Sequence, residues 1–302
     1  MVPIKVLVLA GRRSSGDAVA DFSGLRHRAL LEIAGVPMLE RVVDALEQSG
    51  VASSVTVSSD DPRLVHSTPA LAKLADEERG FLHFHRSAVS PASSVADFFT
   101  NVAASEPVFI TTADHPLLTP EIIRHFVEKA LGSTADFVVG MVPATVYRRR
   151  FPDQPRTFIR LRGEMYSGAN LFLMRTPQAV LVPRFWTRAE THRKTPWRLV
   201  RVFGASNLLL FLLGRLDLGA ALGRASAVIG ARIEAVELPF AEAALDVDKE
   251  ADRLAVEEVF AQRTSPGSRE GAIGGQKRES AAADGKATTW QPVDTRQRNR
   301  RR

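Results

Sequence analysis

Apolar and polar positions along the chain follow two rhythms. IKVLVLA (4–10) is an unbroken apolar run with β-branched members, the pattern of a strand buried on both faces. SVTVSS (54–59), FLHFH (81–85), PVFITTA (107–113) and ADFVVGMVPA (135–144) predict further strands. Between them the period changes to that of a helix. Met38, Leu39, Val42, Val43 and Leu46 recur at helical spacing, with Pro37 before them and Gly50 after. PALAKLADEERG predicts a short helix, and SSVADFFTNVAA (93–104) a second, capped by Ser93 or Ser94. TPEIIRHFVEKALG (119–132) predicts a third, with Thr119 as cap, Pro120 in the first position and Gly132 as stop. Strands alternating with helices from residue 3 to about 144, with no linker, predict a parallel sheet covered on both faces.

The rhythm then changes. FIRLRG (158–163) and ANLFLMR (169–175) predict an antiparallel pair. Helical segments follow around 177–190, 196–213 and 218–229, then a strand in ARIEAVELPF (231–240) and a helix over 248–262. There is no internal repeat. The expected organisation is one α/β domain over residues 1–262, its second half forming a lid or wall over the first, and a basic tail over 263–302.

Composition narrows this. The chain has 302 residues, 45% of them apolar, enough for a large core. There is no cysteine, so nothing requires an oxidising compartment. The apolar N-terminus lacks the charged leader of a signal peptide. LLLFLLG (208–214) falls far short of the ~20 residues that span a bilayer. A cytoplasmic protein is expected. The net charge of +6 lies entirely in residues 263–302, which hold ten Lys/Arg and four Asp/Glu; the rest is neutral. That tail has little to bury and should be disordered, either as a solubilising extension or in weak contact with RNA or acidic lipid. No stable nucleic-acid partner is expected. The stretch from Trp197 to Leu213 mixes apolar and basic residues. It suits a helix packed on the sheet with a solvated basic face, or else a peripheral membrane contact.

Candidate chemistry sits at strand ends. In an open parallel sheet, ligands bind at the carboxyl ends of strands, where strand order reverses. Asp114 directly follows PVFITTA, and Pro116 turns the chain away. A carboxylate there is suited to a divalent cation. The alternative, a turn-capping role, is already filled by Thr119. After the first strand comes GRRSSGDAVADFSGLRHR (11–28), with three glycines, three serines and four arginines. Small residues let the backbone approach a nucleotide, and arginines neutralise phosphate. The loop is neither a Walker loop nor a dinucleotide fingerprint, because GKS/GKT and GxGxxG are both absent. His83 and His85 share one face of a strand but lack the further ligands of a zinc site.

LVLAG (7–11), RALLEIAGVPMLERVVDAL (28–46), SPASSV (90–95), TTADHPLLTPE (111–121) and ALDVDKEAD (244–252) occur in an order that resembles the MobA-like NTP transferases, over about residues 3–262. The resemblance implies a three-layer α/β/α fold with a mostly parallel central sheet. This is the nucleotide-diphospho-sugar transferase (GT-A-like, Rossmann-like) architecture, here with a helical insertion around 177–230. It also implies Mg²⁺-dependent transfer of a nucleotidyl group from an NTP to a phosphorylated acceptor, with release of pyrophosphate. By the same resemblance Leu9, Ala10 and Gly11 hold the base and triphosphate, and Arg28 takes the place of the family's phosphate-contacting lysine. Ser90, Ser93 and Ser94 lie near the base. Asp114 binds Mg²⁺, and Asp248, or alternatively Asp246, supplies a second metal ligand.

The sequence departs from the family where LAGG is usual. Arg12 stands at the second glycine, with Arg13 next, so that both arginines join the nucleotide-binding candidates and the base pocket is altered. The insertion resembles no well-known member, and substrate identity is expected to reside there. Asn170 is a candidate acceptor contact or a strand-start residue. Two rival functions remain: a glycosyltransferase using a nucleotide sugar, since Asp246-Val247-Asp248 has the form of a DxD motif, and a catalytically inactive nucleotide-binding protein.

Overall fold

In the central strands, successive side chains enter opposite cores. Val6 and Val8 point into one, Leu7 into the other; Phe109 and its neighbours Val108 and Ile110 divide in the same way. A strand buried on both faces needs helices on both faces, and that is the architecture of the computed structural model. It describes residues 2–11, 27–76, 78–101, 106–190, 210 and 213–264. Arg12, Arg13, the helix expected over 196–213, nearly all of the Trp197–Leu213 stretch and almost all of the tail lie outside the described residues.

The strands are β1 (Ile4–Leu9), β2 (Glu32–Ile33), β3 (Val36–Pro37), β4 (Ala52–Ser59), β5 (Leu82–Arg86), β6 (Val108–Thr112), β7 (Phe137–Pro143), β8 (Ile159–Arg160), β9 (Met165–Met174) and β10 (Ile233–Glu237). The main sheet runs β10-β7-β9-β6-β1-β4-β5, with β8 beside β9. It is parallel except for β9, which is antiparallel to β6, β7 and β8. The α-helices are α1 (Met38–Ser49), α2 (Pro69–Ala75), α3 (Pro91–Asn101), α4 (Pro120–Gly132), α5 (Ala144–Arg150), α6 (Leu181–Glu190), α7 (Leu218–Ile229) and α8 (Glu250–Thr264). α1, α4 and α8 contribute to one core, and α3, α6 and α7 to the other. Met1–Ala261 forms one compact unit. No described helix is long and apolar enough to cross a membrane.

The apolar patterns of α1 and α4 are realised as expected. Met38, Leu39, Val42, Val43 and Leu46 are buried in α1, and Ile122, Ile123, Phe126 and Val127 in α4. Three local readings differ. The helix predicted to begin at Ser93 begins at Pro91. Ser90 is its cap, because Ser90 Oγ accepts from Ser93 N (3.2 Å) and Ser93 Oγ accepts from Ser90 N (2.9 Å). Two serines reproduce the reciprocal bonding usually made by a Ser and a Glu or Gln. The residues before α1 form the hairpin β2–β3, turned at Ala34 (φ 47°) and Gly35 (φ 75°), both left-handed as a type I′ two-residue turn requires.

β9 begins at Met165 rather than 169 and carries a bulge opposite Gly140. A Cβ on Gly140 would lie 3.2 Å from both Leu171 Cβ and Leu238 Cδ1, so this close approach calls for glycine. The bulge holds Asn170 at φ 52°, a conformation asparagine tolerates.

From β1 the chain moves outward to β4 and β5, then returns to β6 on the other flank of β1. The tips of β1 and β6 are therefore the point at which strand order reverses.

Candidate functional site

Three loops converge on that point. After β1, Ala10 N donates to Ser58 O (2.9 Å), and Ala113 N after β6 donates to Leu9 O (3.0 Å), so the ladder extends one residue past the strand ends. Leu9 is half-buried, Ala10 buried and Gly11 exposed. After β5, Ser87 N donates to Ser59 O (2.9 Å), and a Cβ on Gly11 would lie 3.6 Å from Ser87 Cβ. The LAG turn and the serine loop thus meet. Within that loop Ser90 and Ser93 bond each other, while the buried Ser94 hydroxyl accepts from Ala88 N (2.9 Å) and donates to Ser90 O (3.0 Å). These hydroxyls shape the loop and the start of α3.

Asp114 stands where the sheet ends. Thr119 caps α4 by accepting from Ile122 N (3.3 Å), so Asp114 is not the helix cap. Its backbone carbonyl accepts from Val247 N (2.9 Å), which ties the 245–249 segment to the tip of β6. Between them lies the guanidinium of Arg28, buried and led into place by a short 3₁₀ turn (Arg28–Leu30). One nitrogen, Nη2, donates to Asp114 Oδ2 (2.7 Å), Val247 O (2.8 Å) and Asp248 Oδ1 (2.9 Å). The side chain of Asp114 is 16% exposed and that of Asp248 39%. The other Asp114 oxygen, Oδ1, is buried with no hydrogen bond of acceptable geometry, although the Thr112 hydroxyl is near enough to favour its charge. Burial pushes the Asp114 carboxyl above the usual range, opposed by Arg28 and reinforced by Asp246 and Asp248.

Asp246 has a different set of partners. It is paired with Arg156 and accepts from Asn170 Nδ2 (3.0 Å). Arg156 Nε also donates to Ser167 Oγ (2.8 Å) on β9. Burial alone would raise the Asp246 carboxyl, but Arg156 and Asn170 hold it below the usual range. The bulge in β9 is what aims Asn170 at Asp246. Asp252 accepts from the amides of Asp248 and Lys249 (3.1 Å each), so the amides leading into α8 are bonded by Asp252, while the Asp248 carboxylate is turned to Arg28.

His115 is buried beside these groups. Its Nε2 donates to Glu242 O (3.2 Å), its Nδ1 has no partner, and burial pushes its pKa below the usual histidine range. The Tyr147 hydroxyl is likewise buried without a partner.

The sequence readings of Leu9, Ala10, Gly11, Arg28, Ser90, Ser93, Ser94, Asp114 and Asp248 fall on the three converging loops and the segment bonded to them. Arg12 and Arg13 lie outside the described residues. Missed were Arg156, His27 and His115. Arg156 sits in the irregular stretch FPDQPRT, where nothing periodic marks it. His27 is buried directly before Arg28 and accepts from Ala29 N through Nδ1 (3.2 Å). His115 lies inside the stretch that was read, between Asp114 and Pro116, but burial is not visible from one residue. His85, set aside as a zinc ligand, joins Ser58 Oγ (3.1 Å) to Asp97 Oδ2 (2.9 Å), and no cluster of three or more metal-ligating side chains occurs among the described residues.

The carboxylates, the arginine and the glycine turn thus gather at the strand-order reversal, where open α/β sheets bind their ligands. The family model of the MobA-like NTP transferase domain matches residues 6–191, and the chain belongs to that family of nucleotidyltransferases. Among solved structures it is similar to a hypothetical transferase from Thermus thermophilus. The identity is 30% and the TM-score 0.67, covering 83% of this chain and 100% of that one. It shares its fold with CMP:2-keto-3-deoxy-manno-octonic acid synthetase complexed with CTP (14% identity, TM-score 0.54, 86% and 99% covered). The same holds for 4-diphosphocytidyl-2C-methyl-D-erythritol synthase from Anaerococcus prevotii (12% identity, TM-score 0.51, 86% and 96% covered). Comparison with curated proteins gives no match.

Proposed function

We propose that the chain transfers a nucleotidyl group from an NTP to a phosphorylated acceptor, with Mg²⁺ held by Asp114 and Asp248 and with release of pyrophosphate. The observation that carries this reading is the meeting of Asp114, at the tip of β6, and Asp248 on one buried cation beside the Gly11 turn. The donor set fits the metal. Mg²⁺ takes one or two carboxylates and completes its shell with phosphate oxygens and water, and Asp114 Oδ1 is a buried carboxylate oxygen lacking a partner. Once bound, the ion supplies charge screening between two anionic groups and orients an in-line displacement.

The chain's own residues do the rest. The Gly11 turn leaves room for the backbone to approach the nucleotide, and Arg28, with Arg12 and Arg13 from the adjoining loop, neutralises phosphate charge. An acceptor phosphate oxygen attacks the α-phosphorus as the bond to the bridging oxygen breaks and pyrophosphate departs. That oxygen is already ionised near neutral pH, so the step needs no general base. The lack of cysteine suits a cytoplasmic setting. The DxD rival is not favoured by the geometry: Asp246 and Asp248 face different arginines.

The test offers the four NTPs with Mg²⁺ and a panel of phosphorylated acceptors, following pyrophosphate. Pyrophosphate should appear with one pairing and fall at least ~100-fold in Asp114→Asn, the order lost when a transition-state electrostatic contact is removed. A nucleoside diphosphate product, or full turnover by Asp114→Asn, overturns the proposal.

A further inference from the structure

The cation joining Asp114 to Asp248 is the guanidinium of Arg28. Its Nη2 lies within 2.9 Å of an oxygen on each carboxylate and also bonds the Val247 carbonyl. The side chain is 9% exposed, and its backbone is fixed in the 3₁₀ turn Arg28–Leu30. Guanidinium does not lose its charge at any pH a protein survives. It therefore occupies, as a permanent monovalent cation, the position between two carboxylates that a divalent ion would need. Two cations a few ångströms apart repel strongly in a partly desolvated site, so they cannot share the pair at low cost.

From this we infer that Arg28 is a resident counter-cation that closes the carboxylate pair to free divalent ions and yields it only when a polyphosphate draws the guanidinium away. The inference rests on the metal reading above and adds an order of binding to it. The forked donors of an arginine match a phosphate as well as a carboxylate. A triphosphate arriving at the Gly11 turn offers Arg28 a more highly charged partner and leaves Asp114 and Asp248 to the divalent ion that the nucleotide carries. The metal then enters as a complex with its nucleotide. Without nucleotide, Arg28 keeps the buried Asp114 from standing as an uncompensated charge.

The measurement is Mn²⁺ binding to the full-length, nucleotide-free protein at pH 8, by electron paramagnetic resonance of the free ion. It compares wild type, Arg28→Ala, Arg28→Lys, Asp114→Asn and Arg28→Ala/Asp114→Asn. Arg28→Ala should bind Mn²⁺ about tenfold more tightly than wild type, within the usual range of coupling between two ligands. Arg28→Lys should lie between, because the shorter lysine stem keeps the charge but holds it farther from the two carboxylates that Nη2 reaches. The gain should vanish in the double variant. Should Arg28→Ala fail to fold, judged by its thermal transition, Arg28→Lys alone must still bind more tightly than wild type. Equal affinity in wild type and both Arg28 variants, with Asp114→Asn still weakening binding, overturns the counter-cation and leaves the metal reading standing. Mn²⁺ binding indifferent to Asp114→Asn in every background overturns the metal reading, and the counter-cation falls with it.

Discussion

Asp246 and Asp248 are separated by one residue and belong to two different ion pairs. On an extended segment, alternate side chains share a face, so a sequence reading has reason to treat them as interchangeable. The choice is made by what surrounds each: Arg156 and Asn170 gather Asp246, and Arg28 gathers Asp248. The Arg156–Asp246 pair is largely buried, with side chains 19% and 13% exposed. Arg156→Ala leaves Asp246 charged, buried and short of a partner. It should destabilise the protein by about 3 kcal/mol in urea melts, because removing one member of a buried pair costs more than the pair was worth. Arg156→Lys should recover only part, since Arg156 also holds Ser167 through a second nitrogen. A stability change within experimental error for Arg156→Ala would show that Asp246 finds another cation.

At the scale of elements, the serine loop shows how a correct residue type led to a wrong boundary. Ser90, Ser93 and Ser94 are all competent N-caps, and local pattern does not rank them. The turn after β5, held by Ser87 N on Ser59 O, fixes where the helix can begin and so selects Ser90. At the other end of the sheet, Asp136 ties together the starts of β7 and β10 and the end of β9. It accepts from Thr176 Oγ1 (2.7 Å) and Arg232 N (2.8 Å), with Arg175 and Arg232 nearby. Burial alone would raise its pKa, but these donors and cations hold it below the usual range. A depressed carboxylate stabilises the fold above its unfolded pKa, and that contribution is lost as pH falls through the folded value. Wild type should therefore exceed Asp136→Asn by about 2 kcal/mol at pH 7, where the amide would set a donor against the Arg232 N–H. The gap should begin to narrow below about pH 4, where an unfolded Asp takes up its proton, and go on narrowing as pH falls through the depressed folded value. Chemical denaturation of both proteins at pH 7 and pH 3 measures it; a gap as large at pH 3 as at pH 7 would assign the effect to shape rather than charge.

For the whole molecule, the chain's charge and its fold are written in different places. Residues 263–302 carry the entire net charge, and the remainder is neutral. Deleting them should abolish salt-sensitive retention on RNA or heparin and leave NTP binding unchanged, as gel shift and calorimetry would report; retained polyanion binding would locate a basic surface in the body. The sequence by itself determined the layered architecture, because a strand buried on both faces and helices with one apolar stripe admit few other arrangements. It also determined that Asp114 ends a central strand, since an apolar run cannot hold a carboxylate inside it. Tertiary structure alone decided which charges meet. Arg28, Asp114 and Asp248 lie far apart along the chain, and their meeting depends on the path that carries β6 back beside β1 and on the Val247–Asp114 backbone bond. Local pattern encodes what each segment must bury. The partner of a buried charge is set by the long-range packing of other segments, which no window of sequence contains.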